Sequence, residues 1–148
     1  MQKGNSLRVV IDTNLLISAI ITAGSTPDQL LKAWREDRYV LVISKELIEE
    51  IKDVSQRDYL VNIYPIFSER VVELIENLNL AAEMVTPSPE NELPVHSRDP
   101  KDDKLLAAAL GGKATYLISG DKDLLDLSGD SALGNIKIVP AKQFLDLI

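Results

Sequence analysis

Two aspartates, Asp12 and Asp121, each closely follow a short apolar run, in Val-Val-Ile-Asp-Thr-Asn and Ile-Ser-Gly-Asp-Lys-Asp. Aspartate often caps a helix, so a capping role explains either residue taken alone. If both runs are strands of one parallel sheet, however, their carboxyl ends lie at the same edge, where open α/β sheets bind ligands. Carboxylate oxygens are the ligands that hard divalent cations prefer, so the pair indicates a metal site.

Asp103 is a third candidate because of its helical position. A helix is predicted from Asp99 through Leu110, and in it Asp103 shares a face with Leu106. Asp103 should therefore point inward, where an unpaired charge is costly and a metal ion would offset the cost. Asp99 is interpreted as the helix cap and Asp102 as a first-turn acid that the helix dipole favours.

Glu50 is the fourth candidate, and it lies in a helix predicted over Ser44–Ser55. The apolar stripe of that helix consists of Leu47, Ile48, Ile51 and Val54. At ~100° per residue, Glu46, Glu49 and Asp53 lie on the far side, whereas Glu50 lies at the edge of the stripe. Glu50 can therefore reach the sheet edge, although an ordinary flanking charge explains it equally well.

The composition limits the kinds of metal site and of reaction that the chain can support. The 148 residues predict a single domain over 1–148, and they include no cysteine and one histidine, His96. Thiolate and histidine-rich metal sites are therefore excluded, and carboxylate-bound metal favours phosphodiester hydrolysis. His96 has no evident partner in its proline-rich loop, so we expect a structural or solvent role. The net charge of −7 means that metal ions must offset part of the protein's own field if it handles a polyanion.

These candidates require a particular arrangement of strands and helices. Strands are predicted at Leu7–Ile11, Tyr39–Ile43, Ala82–Val85, Thr115–Ser119 and Ile136–Val139, with helices between them. Thr26, Ser44 and Pro65 are predicted to begin three of the helices. This alternation predicts an α/β fold, a three-layer α/β/α sandwich with a central parallel sheet of about five strands. No apolar run approaches the ~20 residues that span a bilayer, and no signal peptide is evident, so we expect a cytoplasmic protein without a membrane.

At four segments the chain resembles PIN-domain proteins, of the stand-alone prokaryotic kind that forms the toxin component of toxin–antitoxin pairs. The segments occur in the family's order and span nearly the whole chain; they are Val9–Asn14, Leu47–Ile51, Arg98–Ala109 and Ile118–Leu125. The resemblance implies a PIN-like fold and hydrolysis of RNA with Mg²⁺ or Mn²⁺. It also implies an antitoxin protein as partner and a homodimer.

The resemblance assigns roles by position. Asp12, Glu50, Asp103 and Asp121 match the four acids that bind metal and act in catalysis. The supporting positions are Asn14, Ser119 (where the family often has Thr), Asp123 and Asp99. Metal held by the four acids would activate a water that attacks a phosphate, with one or two ions. Single-stranded RNA is the expected substrate, because duplex RNA hides its bases.

Other families fit less well. A haloacid-dehalogenase-like phosphatase needs a second Asp where the chain has Asn14. A response-regulator receiver needs an Asp at the end of the third strand, where the chain continues into Thr86-Pro87. A dinucleotide-binding domain needs a glycine-rich turn after the first strand. The remaining alternative is a catalytically silent PIN domain that serves as a protein- or RNA-binding scaffold, although such a domain would be expected to lose acids that this chain keeps.

Overall fold

The computed structural model describes residues 7–56 and 66–148, and its centre is a five-stranded parallel sheet. The strands are β1 (Arg8–Ile11), β2 (Val40–Ile43), β3 (Glu83–Met84), β4 (Tyr116–Ile118) and β5 (Lys137–Val139). Their order is β3-β2-β1-β4-β5, and every pairing is parallel. The predicted α/β fold with about five parallel strands is confirmed.

Seven α-helices lie in the described residues. They are α1 (Thr13–Ile21), α2 (Thr26–Arg35), α3 (Lys45–Ser55), α4 (Phe67–Ala81), α5 (Asp103–Gly111), α6 (Lys122–Leu125) and α7 (Ala141–Leu147). None of these helices is both long and apolar enough to cross a membrane. The predicted helix start at Pro65 lies outside the described residues.

The strand order reverses direction at β1, and this reversal decides where a site can form. The chain moves outward from β1 through β2 to β3, and then crosses back to β4 on the other side of β1. Because crossovers between parallel strands are right-handed, the helices before β3 and those between β3 and β5 cover opposite faces. The two layers diverge at the carboxyl ends of β1 and β4, which leaves a crevice there.

Two helix starts differ from the prediction. Ser25, not Thr26, caps α2, because its Oγ accepts the Asp28 N–H at 3.3 Å. The predicted helix beginning at Asp99 is divided in two: residues Pro100–Asp102 form a 3₁₀ turn, and α5 begins only at Asp103. A 3₁₀ turn advances about 120° per residue instead of about 100°, so side chains before and after the boundary point differently from those of one continuous helix.

Gly111 and Gly112 end α5 where the backbone of residues 86–88 crosses it. The Ser88 N–H donates to the Ala107 carbonyl at 2.9 Å, which brings the two segments into close contact. A Cβ on Gly111 would lie 2.2 Å from the Thr86 carbonyl oxygen and 2.6 Å from Ser88 N. Both are main-chain atoms, so the contact cannot be relieved by a side-chain rotation.

We therefore expect Gly111→Ala to lower the free energy of unfolding by about 2–3 kcal/mol through overpacking, although alanine is the better helix former. Chemical denaturation followed by circular dichroism measures this loss. Gly120→Ala is the matched control, because a Cβ there meets no atom within 4 Å. Equal stability of the two variants would contradict the close packing of α5 on residues 86–88.

Candidate metal centre

Asp12 is the residue around which the site is built. It follows β1 and caps α1, and its Oδ1 accepts the Asn14 N–H at 3.0 Å. Its Oδ2 accepts the Ser119 hydroxyl at 2.7 Å, and the side chain is buried. Burial raises the pKa of Asp12; the two hydrogen bonds oppose that rise, and the nearby charges of Glu50 and Asp121 add to it. The capping role and a place in the site are therefore compatible.

Ser119 connects Asp12 to the neighbouring strand end. It is fully buried, and while its hydroxyl donates to Asp12 it accepts the Asp121 N–H at 3.0 Å. Asp121 in turn caps α6 by accepting the Asp123 N–H at 2.8 Å. The hydrogen bonding expected of Ser119 is present, and it joins the carboxyl ends of β1 and β4, which are adjacent in the sheet.

Glu50 reaches the same edge from α3. Its Oε1 accepts the hydroxyl of Thr13, the first residue of α1, and its charge contributes to the raised pKa of Asp12. The other acids of α3, Glu46, Glu49 and Asp53, are exposed as the helical geometry predicted. The structure therefore brings Glu50 to the edge of the acid cluster.

Asp102, which the sequence treated as a first-turn acid, is buried and belongs to the cluster. Of the described residues, Asp99, Asp102 and Asp121 each offer a carboxylate oxygen, and these atoms all lie within 4.8 Å of one another. Burial raises the pKa of Asp102 to about 7, and the hydrogen bond with Asp121 and the charges of Asp121, Asp12 and Asp99 contribute to this rise. Asp102 does lie in the first turn, as predicted, but its burial and its place in the cluster were not predicted.

Asp103 is buried, as predicted, but its carboxylate has other partners. Oδ1 accepts the Ser97 N–H at 2.9 Å, and Oδ2 lies 2.7 Å from Nδ1 of His96. Asp103 is therefore not the unpaired buried charge that the sequence argument required, and His96 does not lack a partner. The metal-binding role assigned to Asp103 stays a prediction, and the described contacts favour Asp102 in its place.

Two supporting residues lie at the margin of the cluster. Asn14 is exposed and lines an open groove of ≈ 340 Å³ beside Asp12 and Asp121. The Asp123 carboxylate pairs with Arg98, whose Nε lies 3.1 Å from Asp123 Oδ1, and the Asp123 N–H donates to Asp121. The described contact of Asp123 with the cluster is therefore made by its main chain, and its outer role in metal binding stays a prediction.

The donor set fits a hard divalent cation. In the described part of the chain no lysine or arginine forms an ion pair with Asp12, Asp102 or Asp121, although the first two are buried. Buried carboxylates that repel one another are stabilised when a cation binds between them, and oxygen-only ligands suit Mg²⁺ or Mn²⁺.

Sequence reasoning missed Asp102 for an identifiable reason. The flanking residues Leu105 to Ala109 are all buried, so α5 has no single inward face that would separate Asp102 from Asp103. Asp99 followed by Pro100 indicates the start of a helix, but it does not distinguish a 3₁₀ first turn from an α one. The pairing of His96 with Asp103 has no comparable signal.

Comparisons with known proteins bear on the family and on the fold. The sequence profile described as PIN domain matches residues 8–123. The uncharacterized protein MJ1680 of Methanocaldococcus jannaschii is 30% identical over 149 aligned positions, which cover 95% of this chain and 90% of that protein. Among solved structures, the crystal structure of PAE2754 from Pyrobaculum aerophilum aligns with a TM-score of 0.61. That alignment covers 99% of this chain and 93% of the other at 13% identity, so it supports the fold alone.

Proposed function

The chain belongs to the PIN-domain family, and from that premise we propose that it is a metal-dependent endoribonuclease that hydrolyses RNA phosphodiester bonds. The family is generally a nuclease fold. The observation that carries the proposal is the group of carboxylates at the carboxyl ends of β1 and β4, in which Asp12 and Asp102 are buried without a cationic side chain among the described ion pairs.

Asp12, Asp99, Asp102 and Asp121 would hold Mg²⁺ or Mn²⁺, with Glu50 at the edge of the site. A divalent cation bound there supplies a water of lowered pKa and offsets the charge that develops on the phosphoryl group. The protein's own contribution is to hold these oxygens in place. Ser119 and the Asn14 N–H orient the two oxygens of Asp12, and Thr13 orients Glu50.

Single-stranded RNA is the proposed substrate. The groove of ≈ 340 Å³ beside Asp12 and Asp121 is open, so an extended backbone can approach the acids from solvent. With a net charge of −7, the protein needs the bound cation to attract a phosphate to this place. An unpaired strand can also bend to present one phosphate, which a stiff duplex resists.

The biological role is proposed from the family resemblance. We propose that the chain is the toxin of a toxin–antitoxin pair, neutralised by an antitoxin protein, and that it acts in the cytoplasm as a homodimer. The absence of cysteine from the 148 residues is compatible with a reducing compartment.

A cleavage assay tests the proposal. Purified protein is incubated with one end-labelled RNA, either single-stranded or annealed to its complement, and with the DNA of the same sequence. We expect internal cuts in the single strand with Mg²⁺ or Mn²⁺, none with excess chelator, and recovery when Mn²⁺ is restored. Cleavage that persists in chelator would contradict the proposed mechanism, and Mn²⁺ binding without cleavage of any substrate would favour the scaffold alternative.

A further inference from the structure

The acids of the candidate site come from two separate segments of the chain. Asp99 and Asp102 lie on the 3₁₀ turn before α5, whereas Asp121 lies between β4 and α6. Within residues 7–56 and 66–148, no main-chain hydrogen bond joins positions 96–103 to positions 119–126. The two segments bring carboxylates towards each other, and like charges repel, so a contact that opposes this repulsion helps to keep them together.

Arg98 joins the two segments without occupying the site. It immediately precedes Asp99, and its guanidinium reaches across to α6 and its C-terminal cap, where it binds two carboxylates. Nε lies 3.1 Å from Asp123 Oδ1, and Nη2 donates to Asp126 Oδ2. Because α6 begins directly after Asp121, these two ion pairs hold the Asp121 end against the Asp99 end.

Ser97, the residue before Arg98, attaches this part of the backbone to the turn that carries Asp102. The Ser97 N–H donates to Asp103 Oδ1 at 2.9 Å, and the Ser97 hydroxyl donates to Asp102 Oδ2 at 3.4 Å. The backbone from which Arg98 extends is thus attached to the turn that carries Asp102. A planar guanidinium that binds two carboxylates at once then has a defined direction, which a lysine ammonium would not have.

We propose that Arg98 is a positioning residue that holds the Asp99–Asp102 turn and Asp121 at metal-binding distance before the cation arrives. The inference rests on the proposed metal site and adds to it the residue that assembles the site. Arg98 touches none of the metal-binding carboxylates through the described ion pairs, so its effect on the cation passes through the geometry of Asp99 and Asp121.

The positive charge of Arg98 and its positioning of the carboxylates have opposite expected effects on cation binding. If Arg98 acted only as a nearby positive charge, its removal would strengthen cation binding, because like charges repel. If it positions the carboxylates, its removal weakens cation binding. Arg98→Lys separates the two effects, since it keeps the charge and loses the two-carboxylate geometry.

Isothermal titration calorimetry with Mn²⁺ on the full chain is the experiment, together with the Mn²⁺ concentration that gives half-maximal RNA cleavage. We expect Arg98→Ala and Arg98→Lys both to bind Mn²⁺ about 10-fold more weakly than wild type, the lower end of the loss that follows when a direct partner of a metal ligand is replaced, because Arg98 acts one contact further away. We also expect kcat at saturating Mn²⁺ to be unchanged. Lys142→Ala is the matched control, because it removes an exposed ion pair with Asp146 on α7.

Three results would overturn the inference. In the first, Arg98→Ala binds Mn²⁺ more tightly than wild type and Arg98→Lys binds it equally well, which would mean that Arg98 acts only through its positive charge. Another is a lowered melting temperature with unchanged Mn²⁺ affinity, which would make its role one of general stability. Failure of the wild type to bind Mn²⁺ would overturn the proposed metal site and this inference together. In the first two results the wild type still binds Mn²⁺, so they overturn the role of Arg98 and leave the metal site in place.

Discussion

Asp12→Asn is expected to lower metal-dependent RNA cleavage by more than about 100-fold, since replacing even the partners of metal ligands typically costs 10- to 100-fold. Asn keeps the shape of the side chain, and its carbonyl can still accept the Asn14 N–H. Its amide can donate to the Ser119 hydroxyl, which reverses the direction of that hydrogen bond. The fold should therefore survive while the charge that attracts the cation is lost.

The same substitution should not lower the stability of the metal-free protein. Asp12 is buried, and the charges of Glu50 and Asp121 disfavour its ionised form, so a neutral side chain removes an unfavourable charge. We expect an equal or higher melting temperature by circular dichroism. Asp130→Asn is the matched control, because Asp130 also caps a helical turn but is exposed. Cleavage by Asp12→Asn at the wild-type rate would remove this residue from the mechanism.

Asp102→Asn and Asp103→Asn form the second decisive pair. We expect Asp102→Asn to weaken Mn²⁺ binding by more than about 10-fold, because it removes a carboxylate that lies with Asp99 and Asp121. Asp103→Asn should leave Mn²⁺ affinity within about threefold of wild type, since the asparagine carbonyl can still accept the Ser97 N–H and keep that segment in place. It should instead reduce stability by about 1 kcal/mol, because charge-assisted hydrogen bonds to Ser97 and His96 are weakened.

Calorimetry with Mn²⁺ and chemical denaturation of both variants measure these two quantities. The comparison also decides between two assignments, because the sequence resemblance selects Asp103 and the described contacts select Asp102. Loss of Mn²⁺ binding in Asp103→Asn with normal binding in Asp102→Asn would restore the assignment made from the sequence.

The raised pKa of Asp102 gives the stability of the folded protein a pH dependence whose sign is known. The pKa rises from 3.8 to about 7 in the folded protein, so between these values the folded state keeps a proton that the unfolded state has lost. Stability therefore falls as pH rises through that window. The melting temperature of the metal-free wild type should be lower at pH 8 than at pH 5, and Asp102→Asn should reduce this difference. Saturating Mn²⁺ should also reduce it, because the cation replaces the proton.

The sequence alone was sufficient to predict which edge of the sheet carries the site and two of the acids that lie there. Short β-branched runs that alternate with helices determine a parallel sheet; Asp12 follows one of those runs directly, and Asp121 follows another after Ser119 and Gly120. Parallel strands place such residues at one edge whatever the loops do. Glu50 was within reach of sequence reasoning too, because α3 has one clear apolar stripe and the position of each acid relative to it follows from helical geometry.

Only the tertiary structure distinguishes the surroundings of Asp102 and Asp103: Asp102 lies with Asp99 and Asp121, whereas Asp103 contacts Ser97 and His96. The helix that follows them is buried around most of its circumference, so hydrophobic periodicity does not select a face. The change from 3₁₀ to α geometry at Asp103 then turns the two neighbouring carboxylates towards different partners. Arg98 shows the same limit, since its partners lie 25 and 28 positions further along the chain. Contacts at such separations depend on the path of the loop, and local sequence preferences do not determine that path.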